Sequence, residues 1–190
     1  MAFKDLVLNN RSCRRFKESE PVTMETLREL VDLARKCPSG ANMQPLKYAL
    51  CNEPEKNAQI CAMIGWAAYL KDWPGPADGE RPAAYITVCL DTDLAKDVDC
   101  DHGIASQTIM LGAVDKGLAG CMLGNVKRDK LHALLNLPAN LRILLVLALG
   151  VPAEERVLDE LAPGGDIRYW RDAGGVHHVP KRGLDEIIIG

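Results

Sequence analysis

Four basic side chains, Arg11, Arg14, Arg15 and Lys17, crowd one short stretch of a chain whose formal net charge is −3. Arginine forks hold phosphate oxygens through paired hydrogen bonds, and the hydroxyl of Ser12 between them adds a donor. The cluster reads either as an anion site or as a solvated basic face. A second candidate is CPSGANMQP at 37–45. Pro38 and Gly40, with Ser39 between them, call for a turn that exposes backbone N–H groups. Asn42 and Gln44 each carry donors and an acceptor, and so can read a ring edge that presents both, as flavins and nucleobases do. The plainer alternative is a helix-stop turn. The third is GLAGCMLGN at 117–125, where glycines let a backbone approach a ligand closely. It is not G-x-G-x-x-G and lacks that fingerprint's strand-then-helix context, so dinucleotide binding of the Rossmann kind is excluded. The fourth is VPKRGL at 179–184, whose Lys181 and Arg182 could close an anion pocket against Arg11 or stand on a charged surface turn.

What is missing narrows the chemistry further. His102, His132, His177 and His178 show no metal-ligand spacing, and His132 is expected to face solvent from a charged helix. Seven cysteines (13, 37, 51, 61, 89, 100 and 121) are odd in number and form no C-x-x-C pair, which argues against a disulfide framework or a zinc knuckle. Cys89, inside AAYITVCL, reads as a small hydrophobe. There is no G-x-S-x-G elbow and no P-loop. With no evident nucleophile or acid–base pair, the chemistry points to a cofactor. An acidic balance and 5% aromatic residues disfavour a nucleic-acid partner. The longest apolar run, 143–151, falls short of the ~20 residues a membrane helix needs, and the first ten residues lack a secretion signal's apolar region. A soluble cytoplasmic protein without a membrane partner is the expectation.

The elements that must position these residues follow from periodicity. At 190 residues and 47% hydrophobic content, one domain covering 1–190 can bury a core of its own. Phe3, Leu6 and Val7 suggest a short first helix. Thr23 is a candidate N-cap for a helix with Leu27, Leu30, Val31 and Ala34 along one stripe, stopped at Pro38. Residues 46–51 read as a strand, followed by a helix presenting Ile60, Met63, Ile64 and Ala67. A buried strand covers 83–90. A helix over 101–116 runs Ile104, Thr108, Leu111 and Asp115 along one line. A charged helix is expected at 127–136, and a strand covered on both faces at 142–150. The stretch 163–180 reads as an irregular excursion before a last short helix at 184–189. The sum is an α/β or α+β sandwich.

Five motifs in this order resemble the nitroreductase family: R-S-x-R-x-F at 11–16, P-S-G-x-N-x-Q-P at 38–45, G-L-x-x-C-x-x-G at 117–124, A-L-G-x-P at 148–152 and P-K-R at 180–182. The resemblance implies an α+β three-layer sandwich, helices around a small mixed central sheet, paired into an intertwined homodimer. It implies bound FMN with NADH or NADPH as co-substrate, and ping-pong hydride transfer through flavin N5 to a nitroaromatic, quinone or similar acceptor. Carried over by position, Arg11 and Ser12 would take the phosphate and Arg14 the flavin N1–O2 edge. Pro38, Ser39, Gly40, Asn42 and Gln44 would reach the ring from the partner subunit. The backbone of Met122, Leu123 and Gly124 would face N5, and Lys181 and Arg182 would clamp the phosphate. Asn10 stands where the family often has a further arginine, and Leu46 where it usually has tryptophan. No side chain is expected to be an obligatory catalytic group. Trp66, Tyr69 and Trp73, with the RYWRD segment at 168–172, are candidates for a stacking lid or for plain packing. A different flavin chemistry (dehalogenation or flavin consumption), a flavin-binding sensor, and a thiol switch using Cys13 and Cys37 remain as alternatives.

Overall fold

The computed structural model describes residues 1–190. Its order is α1 (Phe3–Asn9), α2 (Met24–Ala34), a 3₁₀ turn at Gly40–Asn42, β1 (Leu46–Cys51), α3 (Pro54–Cys61), β2 (Ala84–Asp91), α4 (Asp101–Asp115), β3 (Ala119–Leu123), α5 (Arg128–Leu134), β4 (Leu141–Gly150), β5 (Arg156–Glu160), β6 (Trp170–Arg171), β7 (His177–Lys181) and α6 (Leu184–Ile187). The main sheet runs β1-β2-β4-β3 and separates two half-cores. Side chains alternate across it, as strand pleating requires. Tyr85, Cys89, Val146 and Ala148 meet Ile60 of α3 and Leu131 of α5 on one face. Ile86, Val88, Leu147 and Leu149 meet Leu27 and Leu30 of α2 and Ile109 of α4 on the other. Every residue of β2 is buried, which is why 84–91 carries no polar alternation. Thr23 caps α2, its hydroxyl accepting from Thr26 N at 3.1 Å.

Several expected details differ. The main sheet is antiparallel throughout; mixed pairing belongs to a second sheet, β5-β7-β6, where β5 and β7 are parallel. Helices α3 and α5 each return the chain antiparallel to the adjacent strand, whereas α4 carries it from β2 to β3, which run parallel with β4 antiparallel between them. Helix α3 stops at Cys61, before Met63, Ile64 and Ala67, because another segment claims the backbone beyond it. Ile64 bridges Val126, and Gly65 N donates to Asn125 O at 2.8 Å. A Cβ on Gly65 would collide with the Asn125 amide. On α4 the buried face is Ala105, Ile109 and Ala113, while the line from Ile104 to Asp115 lies on the more exposed side. An apolar helix hides which face it buries. His132 is half-buried, with Nε2 3.2 Å from Pro138 O. The stretch 163–180 is no mere excursion, since it carries β6 and most of β7. A two-residue strand and a strand containing Pro180 leave almost no periodic signal.

Candidate functional site

The segment 11–13 lies along the edge of β3: Ser12 bridges Gly120 in parallel, and Cys13 N donates to Gly120 O at 2.8 Å. Glycine is required at 120, because a Cβ there would collide with Ala148 O and sit 2.7 Å from Met110 Cε. With α4 on one side and β7 on the other, a cleft of about 250 Å³ opens at this point. Its lining is Asn10, Arg11, Ser12, Gln107, Met110, Gly120, Met122, Val179 and Lys181. That is two cations, three neutral hydrogen-bonding side chains and no carboxylate, in a chain that is acidic overall. The two remote basic motifs therefore do meet, through Arg11, Ser12 and Lys181. Asn10 Nδ2 donates to Gln107 Oε1 at 3.3 Å across the cleft. Arg11 is partly committed elsewhere: its guanidinium donates to Val7 O at 2.7 Å and Asn10 O at 2.6 Å, closing the C-terminus of α1. Burial lowers its pKa from the ordinary arginine value.

The 38–45 loop is placed apart from this cleft within the chain. Asp101, opening α4, anchors it by accepting from Ser39 Oγ at 2.6 Å and from Gly40 N at 3.0 Å. Gln44 N in turn donates to Ser39 Oγ at 2.9 Å. Ala41, Asn42 and Gln44 have φ of 48°, 54° and 50°, a left-handed conformation costing roughly 1–2 kcal/mol per residue. The Asp101 contacts hold them there. Asn42 and Gln44 are exposed, Gln44 Nε2 donating to Asn42 Oδ1 at 3.0 Å. From Asp101 to Gln107 and Met110, α4 rises roughly 9 and 14 Å at ~1.5 Å per residue.

The other candidates scatter. Met122 looks into the cleft, Leu123 turns into the core, and the exposed Gly124 gives its carbonyl to Arg128 at 3.0 Å. Arg182 pairs with Glu186 beside a groove that also holds Leu161 and Ile187, with Lys181 between the two openings. Arg14 is not in the cleft. It is 8% exposed, its guanidinium lying 4.6 Å from the centre of the Tyr169 ring and donating to His177 Nε2 at 3.1 Å. Its backbone N donates to Glu154 Oε1 at 2.5 Å, and Glu154 Oε2 accepts from Arg171 at 2.6 Å. Burial, opposed by Glu154 and reinforced by Arg14 and Arg171, pushes His177 down to about 4. Sequence reasoning missed Glu154, Arg171 and His177, and no spacing could have found them, because they meet only through the second sheet. The 66–73 aromatics and the RYWRD segment come together: the Tyr69 ring lies tilted against Tyr169 with centroids 4.9 Å apart, and Arg171 lies 4.8 Å from the Trp73 ring centre. Cys13 and Cys37 stand in separate environments. Cys13 is fully buried and burial pushes its thiol up to about 11, while Cys37 Sγ lies 3.0 Å from Thr108 Oγ1 of α4. A larger open groove of about 820 Å³ between α2 and α4 contains none of the predicted residues.

The Nitroreductase family profile matches residues 7–75 and 91–151. The chain is 28% identical over 196 residues to the NADH dehydrogenase of Thermus thermophilus, covering 88% of this chain and 95% of that protein. It is 24% identical over 165 residues to the NADPH-flavin oxidoreductase of Vibrio harveyi, covering 78% of this chain and 65% of that longer protein. A crystal structure from Exiguobacterium sibiricum 255-15, described as a nitroreductase in complex with FMN, superposes with a TM-score of 0.68 at 16% identity, over 80% of this chain and 89% of that one. With about two thirds of its length matched, the chain belongs to the nitroreductase family, FMN-dependent oxidoreductases that use NAD(P)H.

Proposed function

We propose that the protein is a ping-pong oxidoreductase whose FMN is anchored by its phosphate in the cleft of Arg11, Ser12 and Lys181. The observation that carries this reading is the cleft's composition, two cations and no carboxylate, assembled from opposite ends of the chain. A phosphate dianion needs charge and directed donors. Lys181, with no carboxylate partner of its own, supplies a point charge; the exposed Ser12 hydroxyl and the Asn10 and Gln107 amides supply directed donors. Bound FMN supplies the redox chemistry, accepting hydride from NADH or NADPH and passing two electrons to a nitroaromatic, quinone or similar acceptor. Gly120 lets β3 pack closely on Ala148 and Met110 beside the cleft, and Met122 offers an apolar edge at the cleft mouth. The loop with Asn42 and Gln44 stands exposed and held by Asp101, poised to meet a ring presented by a second copy of the chain. A homodimer suits the apolar surface that remains, including Phe3 at 73% exposure and Ile104 at 37%.

The test is the visible spectrum of purified protein before and after anaerobic NADH or NADPH. Yellow protein that bleaches with either nucleotide and recolours with a quinone is the expected result. Protein that stays yellow would support flavin storage or sensing instead, and protein that takes up no FMN would overturn the reading.

A further inference from the structure

The cleft has two walls that share no backbone pairing. One is the segment carrying Arg11 and Ser12, which bridges β3 through Gly120. The other is β7, carrying Val179 and Lys181, which pairs only with β5 and β6. Resting on the reading of this cleft as an FMN phosphate site, we propose that Glu154 is the positioning residue that sets the spacing of the two walls.

The carboxylate spans both. Oε1 accepts from the backbone N of Arg14, two residues beyond Ser12. Oε2 accepts from the guanidinium of Arg171 in β6, which pairs with His177, four residues before Lys181. Because strands advance ~3.3 Å per residue, a shift at this tether reaches the ligand groups about 7 Å along one wall and about 13 Å along the other. One further side-chain contact crosses at the same place, Arg14 to His177 Nε2 at 3.1 Å, and beside it Ala153 N donates to Arg15 O at 2.9 Å. The Glu154 side chain has no solvent exposure and that of Arg171 is 13% exposed, so water cannot reach the carboxylate to replace the guanidinium. The surroundings are otherwise cationic. Arg14, Arg156 and Arg171 lie around Glu154, with Glu80, paired to Arg15, the next carboxylate toward Arg171, and Arg156 Nε, Arg171 Nε and His177 Nδ1 are buried without partners. Removing the negative charge leaves like charges in a dry space, and the relief available to them is separation of the segment from the second sheet. That motion widens the cleft without altering any group that touches the phosphate.

The experiment compares dissociation constants of FMN and riboflavin for the flavin-stripped full chain, by quenching of flavin fluorescence. Riboflavin lacks the phosphate, so the ratio of the two constants isolates the cleft. Lys181→Met, which removes a cleft cation, and Glu154→Gln, which keeps an acceptor for Arg14 N but loses the charge toward Arg171, are each expected to weaken FMN about tenfold and riboflavin less than about twofold. Glu154→Asp keeps the charge but shortens the span, and is expected to lower the ratio as well. Should Glu154→Gln fail to fold, Arg171→Gln removes the tether's other end and is held to the same result. A ratio unchanged by Glu154→Gln while Lys181→Met lowers it overturns the positioning role and leaves the cleft assignment standing. Equal weakening of FMN and riboflavin by Glu154→Gln marks a merely structural ion pair and overturns it too. An unchanged ratio for Lys181→Met overturns the cleft assignment itself, and the positioning role with it.

Discussion

The main sheet and the small C-terminal sheet bury side chains of opposite character. Between β2 and β4 the main sheet encloses Ile86, Val88, Leu147 and Leu149, none more than marginally exposed, and its cohesion is hydrophobic area and close packing. The β5-β7-β6 sheet buries Glu154, His177 and Arg14 at its junction with the rest of the chain, held by directed hydrogen bonds and by arginines lying over aromatic rings. Apolar packing is non-directional and tolerates small shifts. A buried ion cluster fixes distances and fails sharply when one member is lost. The second sheet therefore suits a role in holding ligand groups at set separations, and the first suits holding the fold.

The largest expected effect breaks the second sheet alone. Glu154→Ala leaves Arg14 and Arg171 buried without a counter-charge, a loss of about 3–5 kcal/mol. Hydrogen exchange should show faster amides in β5, β6 and β7 with protection in β2 and β4 retained. Leu149→Ala, at a fully buried position of β4, should cost about 2–5 kcal/mol and lower protection first in the main sheet, α2 and α4, whose side chains share its core cluster. If each substitution loosened both sheets equally, the distinction drawn between them would fall.

The same distinction explains what could be read in the sequence. Where burial is apolar, pattern suffices: β2, β4 and the α2 stripe of Leu27 and Leu30 stand where the expected elements lie. The approach of Arg11 and Ser12 to Lys181 was one of two readings the residue types left open, since the same basic clusters also suit a solvated surface. Arg14 shows the limit. Its residue type fits a flavin edge equally well, and only the docking of Tyr169, His177 and Glu154 turns it inward. Of those partners only His177 lies in a strand, the five-residue β7 that holds a proline, while Tyr169 and Glu154 stand just before the short β6 and β5, so periodicity encodes neither their existence nor their register. The early end of α3 is similar, set by Asn125 reaching Gly65 from more than fifty residues away.

Acidification sharpens the comparison next. His177 is buried and its folded pKa is lowered to about 4, below the ordinary 6.5. Above pH 6.5 it is neutral folded and unfolded alike, and its environment is fully tolerated. Between 6.5 and 4 the unfolded chain binds a proton that the folded chain refuses, so stability falls as pH falls, by up to roughly 3 kcal/mol. The loss should appear as selective exchange at β6 and β7 amides at pH 5. His177→Phe, which cannot titrate, should flatten that slope.

The smallest effect concerns the adjacent residue and runs the other way. His178 stacks on Trp170 with centroids 4.0 Å apart, and its Nδ1 lies 3.0 Å from Asp159 Oδ2. The hydrogen bond to Asp159, aided by Asp172, raises its pKa above 6.5. A raised pKa means that the folded state favours the imidazolium, so this contribution is complete below the unfolded value and is lost as pH climbs through the folded one. The pair is partly open to solvent, so salt should weaken it. Trp170 reports it directly, because a charged ring stacked on the indole alters its fluorescence. Titration of that fluorescence should give a midpoint above 6.5 that moves down in Asp159→Asn, with the main sheet unaffected. A midpoint at or below 6.5 would mean that the carboxylate does not engage the ring. Taken with His177, the expected behaviour is a second sheet most stable between the two transitions, flanked on the acid side by a buried histidine that must stay neutral and on the basic side by a half-buried one that holds best when charged.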